Sequence, residues 1–241
     1  MNKTEEGKYC VVHYTDTAGS AHAVPDAIYP QLVRKYTDMG IRRMTRKDFN
    51  KAYADGYADY KGKMHVYVYD ISGNGEWVDS KQVSGDKYAG YVKISHSIKS
   101  DYDAKTWQLK LKGVCYHEYF HGIQSSYNAW SDLYFLEGTA VWAGCYYGRD
   151  WFHVGSYFEA STSVVKKPND NLFSGTYRKY STSALAFHLH KQFKGKKFFQ
   201  AYFKKSETEK DAIKIMKSVI SDNGSTDAEE YKDYLTRLYL K

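Results

Sequence analysis

Alternating and helically spaced apolar residues divide the chain into a strand-bearing first half and a helical second half. Tyr9–Tyr14 is a short run of β-forming residues, and Met64–Ile71 alternates about Val66 and Val68. Tyr88–Ile98 is a third strand, with Tyr91, Val92 and Ile94. Residues 1–8 read as a polar lead-in, 16–23 as a turn and 72–87 as a loop carrying Trp77. Ile28, Leu32, Val33 and Tyr36 fall at helical spacing in a helix that starts near Pro25–Pro30 and stops at Gly40. Thr45–Asp48 resembles a capping box ahead of a stripe of Phe49, Ala52, Tyr53, Gly56, Tyr57 and Tyr60.

Beyond the third strand the period is helical almost throughout. Asp103–Tyr127 reads as one long helix. A second, capped by Ser131 or Asp132 and ended by Gly148, is rich in small residues: Gly138, Ala140, Ala143 and Gly144. Residues 151–165 are aromatic and irregular, and 166–170 form a loop. Tyr180–Phe193 and Lys197–Lys204 are helical. Ser206–Glu209 and Thr226–Glu229 are capping boxes opening two last helices. The pattern predicts an α+β fold, with an N-terminal lobe over 1–130 holding a small sheet and the long helix. A helical C-terminal lobe follows over 131–241, and the two form one unit.

Composition narrows the class. The chain has 241 residues, 42% hydrophobic, with mixed charge, which describes a folded protein rather than a disordered one. Its formal charge of +7 is spread over scattered lysine pairs beside no nucleic-acid motif, so solubility explains it better than nucleic-acid binding. No apolar run is long enough to span a membrane, and the first residues are polar, unlike a signal peptide. Three cysteines, Cys10, Cys115 and Cys145, are too few for a disulfide scaffold; a Cys115–Cys145 bridge stays open. A monomer is expected.

The chemistry concentrates in His117-Glu118-Tyr119-Phe120-His121. Residues four apart share a helix face, so His117 and His121 aim two imidazoles at one point, half of a tetrahedral zinc site. Glu118 is turned about 100° from His117 and stands beside the metal, where a general base belongs. Two histidines and a glutamate can also be ordinary packed residues, but Val114, Tyr116, Tyr119, Phe120 and Ile123 make this setting apolar. Buried polar groups there need partners, and a metal supplies one. Glu137, in Phe135-Leu136-Glu137-Gly138-Thr139-Ala140, is the candidate third ligand; a catalytic zinc takes three protein ligands and leaves one position open.

The strings HEYFHGIQ and LEGTAVWAG resemble those of gluzincins, zinc metallopeptidases with His, His and Glu ligands, and are closer to a group of secreted prokaryotic metallopeptidases. Looser likeness at Val12-His13-Tyr14-Thr15 and at Tyr180–Leu185 extends the resemblance from about residue 9 to about residue 205. It implies a zincin-like fold with the metal between the lobes, one zinc per chain, a peptide or protein substrate, and secretion with the leader already removed. It further implies that the 88–98 strand is a sheet edge facing the cleft, and that a tyrosine or histidine from the C-terminal lobe meets the oxyanion. Tyr180 is the first choice, with Tyr177 and His188 behind it. Thermolysin-like members carry Asp four residues after the Glu ligand to orient a ligand histidine. Here Val141 stands there, so Asp132 or a backbone carbonyl would have to serve. The rival readings are a catalytically silent zincin-fold binding or adhesion module and a structural zinc domain.

Overall fold

A computed structural model describes residues 1–55, 62–127, 132–149, 152–167, 170 and 178–239; for Phe152, His153 and Tyr239 it describes the backbone alone. The chain is an α+β protein and divides into two compact units. One comprises Met1–Ser126 and Ala143–Phe152, the other Tyr127–Trp142 and His153–Lys241.

The first unit is built on a six-stranded sheet: β1 (Lys3–Glu6), β2 (Cys10–Tyr14), β3 (Tyr53–Ala54), β4 (Met64–Tyr69), β5 (Gly75–Ser84) and β6 (Lys87–Ser95). Its order is β1-β2-β4-β6-β3, with β5 also on β6. Strands β2, β4 and β6 run parallel, while β1 and β5 are antiparallel to their neighbours. Alternation on β4 does what the sequence predicts, burying Met64, Val66 and Val68 on one face.

Three strand expectations need correction. The polar lead-in forms β1, held by backbone pairing to β2 and by ion pairs Lys3–Asp16 and Glu6–Lys63. The 72–87 loop is largely β5, joined to β6 by a two-residue turn whose Gly85 has φ +52°, as hairpin turns demand. Register shifts at Asp79/Lys81 and Gln82/Ser84 break its alternation, which is why no strand period is legible there. And β6 is an inner strand, paired to β4 and β3 along one side and β5 along the other, so the edge belongs to β5.

Helix α1 (Ile28–Thr45) runs through Gly40 instead of stopping there. A Cβ at Gly40 would lie 2.3 Å from the Tyr116 ring, so glycine serves close packing rather than termination. Thr45 bonds back to the Ile41 carbonyl at 2.7 Å within α1 and caps no following helix. Residues 49–52 are irregular and lead into β3: Phe49 packs edge-on against Phe120, and Asp55 N–H donates to the Gly90 carbonyl at 3.0 Å. The remainder of that supposed stripe, Gly56, Tyr57 and Tyr60, lies outside the described residues. After the short α2 (Ile98–Asp101), the Asp103 carboxylate takes the Lys105 and Thr106 amides at 2.8 and 3.1 Å and starts α3 (Trp107–Ser126).

Helix α4 (Leu133–Gly148) is continuous across the division of units. Asp132 caps it by accepting from Phe135 N at 2.8 Å; Ser131, the other candidate cap, lies outside the described residues. The rest of the second unit is α5 (Phe152–Glu159), where the sequence suggested irregular chain, then α6 (Arg178–Ser181), α7 (Ser183–Gln192), α8 (Lys197–Ser206), α9 (Ala212–Asp222) and α10 (Asp227–Tyr239). Its core is aromatic, with Trp142 on Phe199 and Phe135 on Tyr202. Ser206 ends α8 rather than capping α9; Asp211 caps α9 by taking the Ile213 and Lys214 amides, each at 3.0 Å. The Thr226–Glu229 box forms as predicted, Thr226 N–H donating to Glu229 at 3.0 Å and Glu229 N–H to Thr226 Oγ1 at 3.2 Å. All three cysteines are buried thiols with no bridge between them. Burial pushes Cys115 up to about 12, which keeps it protonated and inert.

Candidate metal centre

Helical spacing carries His117 and His121 to one side of α3, where their Nε2 atoms stand 3.0 Å apart. Two nitrogens on a tetrahedral zinc, each about 2.0–2.1 Å from it, are separated by roughly 3.3 Å. The pair therefore needs to open by only a few tenths of an ångström to share an ion. Gln124, 1% exposed and one turn on, sets the chemistry of the second imidazole: its Oε1 lies 2.7 Å from His121 Nδ1. An amide oxygen only accepts, so Nδ1 carries the proton and Nε2 offers its lone pair. This is the orientation the sequence analysis assigned to Asp132 or a backbone carbonyl. Asp132 is instead the α4 cap, its acidity weakened by burial. Gln124 was legible in principle, three residues past His121 and on the same helix face.

Glu118 is 7% exposed and lies over the start of β5. A Cβ on Gly75 would come 2.6 Å from Glu118 Cγ, 2.8 Å from its Oε1 and 2.7 Å from Val114 Cγ1. Only a glycine leaves the carboxylate where it is. No signal in the sequence singles out Gly75, because its contact with α3 is made by the folded sheet.

Two glycines bring α4 onto α3. A Cβ on Gly144 would be 3.2 Å from the Gly113 carbonyl and 3.8 Å from His117 Cβ; one on Gly148 would be 3.1 Å from the Tyr116 ring. Glu137 lies two helical turns before Gly144, hence on nearly the same face of α4. His117 and His121 belong to the first unit and Glu137 to the second. Two imidazoles and a carboxylate, the donor set expected of His117, His121 and Glu137, suit zinc.

Glu137 is 9% exposed and takes the Lys179 ammonium on Oε1 at 3.1 Å. Burial pulls the Lys179 pKa down, but the charge and hydrogen bond of Glu137, with Tyr180 beside them, together outweigh it and the net shift is upward. Thr182 fixes this neighbourhood by donating to the Tyr134 carbonyl and pressing against Gly138. Tyr180, the predicted oxyanion donor, is half-buried, stacked on Tyr157 at 4.8 Å and 17° beneath the Lys179 ammonium. Lys179 was missed because it is one cation in a lysine-rich chain. Tyr177 lies outside the described residues.

His188 belongs to a separate group, with Glu230 and Asp233, whose ligand atoms fall within 4.8 Å of one another. Its Nε2 meets Glu230 at 3.1 Å, while Asp233 receives Gln192 at 2.6 Å and the Arg237 guanidinium at 2.8 Å. A guanidinium already on the carboxylate opposes a second cation there, and the group reads as a polar clasp between α7 and α10. Among the described residues no helix is long and apolar enough to cross a membrane. A scan of the chain against protein-family models gives no match, and a search of curated proteins gives none.

Proposed function

We propose that the protein is a zinc-dependent peptidase of gluzincin type with a zincin-like fold, in which His117, His121 and Glu137 hold the ion and Glu118 is the general base. The observation that carries this reading is the pair of imidazoles on one side of α3, their Nε2 atoms 3.0 Å apart and His121 held by the buried Gln124, with the carboxylate of Glu118 buried on the same helix. When bound, zinc acidifies water and polarises a carbonyl. Glu118 takes the proton of the attacking water and delivers it to the departing amine. Gln124 keeps His121 in its ligating tautomer, and Gly75 keeps Glu118 at its post. Tyr180 is the group proposed to meet negative charge developing on the carbonyl oxygen. The resemblance adds secretion and a peptide or protein substrate.

A silent binding module would keep the ion without turnover. Incubation with an unbiased peptide library, read by mass spectrometry, separates the two. The peptidase reading expects new termini that vanish on chelation and return with one equivalent of zinc. A zinc-loaded protein that cleaves nothing in the library contradicts it.

A further inference from the structure

The two faces of the first unit's sheet differ in kind. Cys10, Met64, Val66, Val68, Val92 and Ile94 are fully buried on the face toward α1 and α3, where Cys10 meets the Arg34 carbonyl and Trp77 packs on Gly122. The opposite face presents Tyr67 and Tyr69 of β4 and Tyr91 and Lys93 of β6, which with Asp55 line a pocket of about 360 Å³. That volume falls within the roughly 300–1,000 Å³ of small-molecule sites. The rings are held in place by their neighbours. His13 stacks on Tyr67 at 4.6 Å and 16°, Tyr91 meets Tyr67 edge-on at 5.2 Å, and His22 stacks on Tyr69 at 3.9 Å and 20°. Tyr69 is still 38% exposed.

We propose that this pocket binds a neutral carbohydrate, at a site separate from the candidate metal centre. A sugar ring has an apolar C–H face bordered by hydroxyls. Preorganised tyrosine rings match the face, and the Asp55 carboxylate, the Lys93 ammonium and the phenol hydroxyls match the border as acceptors and donors. Charge argues against other ligands. Lys93 is already paired with Glu76 at 3.0 Å, and Asp55 adds a second carboxylate, so no surplus positive charge is left for a phosphate or nucleic acid. An acyl chain or aliphatic side chain would strand those charged groups without water. Tyrosine is also a common strand former, which alone would explain its presence but not a pocket edged by both charges.

The test uses the full chain, titrated by calorimetry and by amide NMR with cello-, xylo-, manno-, laminari- and chito-hexaose. An acidic galacturonate oligomer and an aromatic dipeptide serve as controls. One neutral series should bind saturably, equally with and without zinc, and shift amides at Asp55, Tyr67–Tyr69 and Tyr91–Lys93. Tyr69→Ala and Lys93→Met should each weaken it about tenfold, the size of one good ring or charge contact. Both positions are solvent-accessible, and melting curves check the fold. The proposal is overturned if no neutral oligosaccharide binds, if the acidic oligomer or the dipeptide binds more tightly, or if both variants keep full affinity.

Discussion

At the scale of single residues, the proposed chemistry depends on side chains that hold other side chains. Gln124→Ala removes the acceptor on His121 Nδ1, frees the other tautomer, and should weaken zinc affinity about 10–100-fold, the usual cost of losing such a support. Competition with a chromophoric chelator measures this; unchanged affinity would leave Gln124 a packing residue. Gly75→Ala forces a methyl into the volume of Glu118 Cγ. Zinc content should hold while turnover falls, at most by the roughly 10²–10⁴-fold that a general base contributes. Full activity in that variant would mean the carboxylate is not confined by β5. The histidine pair and Glu118 were legible in the sequence because a four-residue interval on a helix is local geometry. Gly75 and Lys179 were not, because each acquires its role from a distant element.

At the scale of elements, legibility follows the same division. Strands β4 and β6 and helices α3 and α10 announce themselves by period and cap, and the Thr226–Glu229 box forms as read. Strand β5 hides behind two register shifts, and β1 has no apolar pattern, being held by backbone pairing at an edge. The start of α9 was displaced because two acidic residues compete for the role. Glu209 bonds the Lys210 and Asp211 amides and pairs with Lys214, while Asp211 caps the helix. Asp211→Ala should therefore cost about 1 kcal/mol of stability, with little change for Ser206→Ala at the cap level, as read by urea unfolding. The reverse order would restore the sequence reading. The small residues of α4 matter for a different reason, since Gly144 lets that helix lie against the Gly113 carbonyl beside His117. Gly144→Val should push the helices apart and lower zinc affinity more than it lowers the melting temperature of the zinc-free protein.

At the scale of the whole molecule, the fold and the metal should be separable. Zinc bound to the native state alone stabilises it by mass action, so chelation should lower the melting temperature without unfolding a protein whose cores are apolar in their own right. An unfolded zinc-free chain would make the site structural. Acid should act on the zinc-free protein through His13. Burial, and then the neighbouring His65, lower its pKa from the ordinary 6.5 to about 4. Between those values the unfolded chain binds a proton that the folded one refuses, so the His13 contribution to stability falls as pH drops from about 6.5 to about 4. His65, lowered chiefly by burial, acts in the same direction. Urea midpoints across that range should show the decline, and His13→Gln should make it shallower; a flat wild-type profile would contradict the assignment.

The central claim, that a carboxylate beside a zinc on this helix pair carries out peptide hydrolysis, is tested most directly by Glu118→Gln. The amide keeps the size and shape of the side chain, and the residue is not among the proposed ligands, so the variant should bind one zinc per chain with wild-type melting behaviour. Turnover of the best library peptide should fall by about 10²–10⁴-fold. Wild-type turnover in a zinc-loaded Glu118→Gln protein would remove Glu118 from the chemistry and with it the account given of this site.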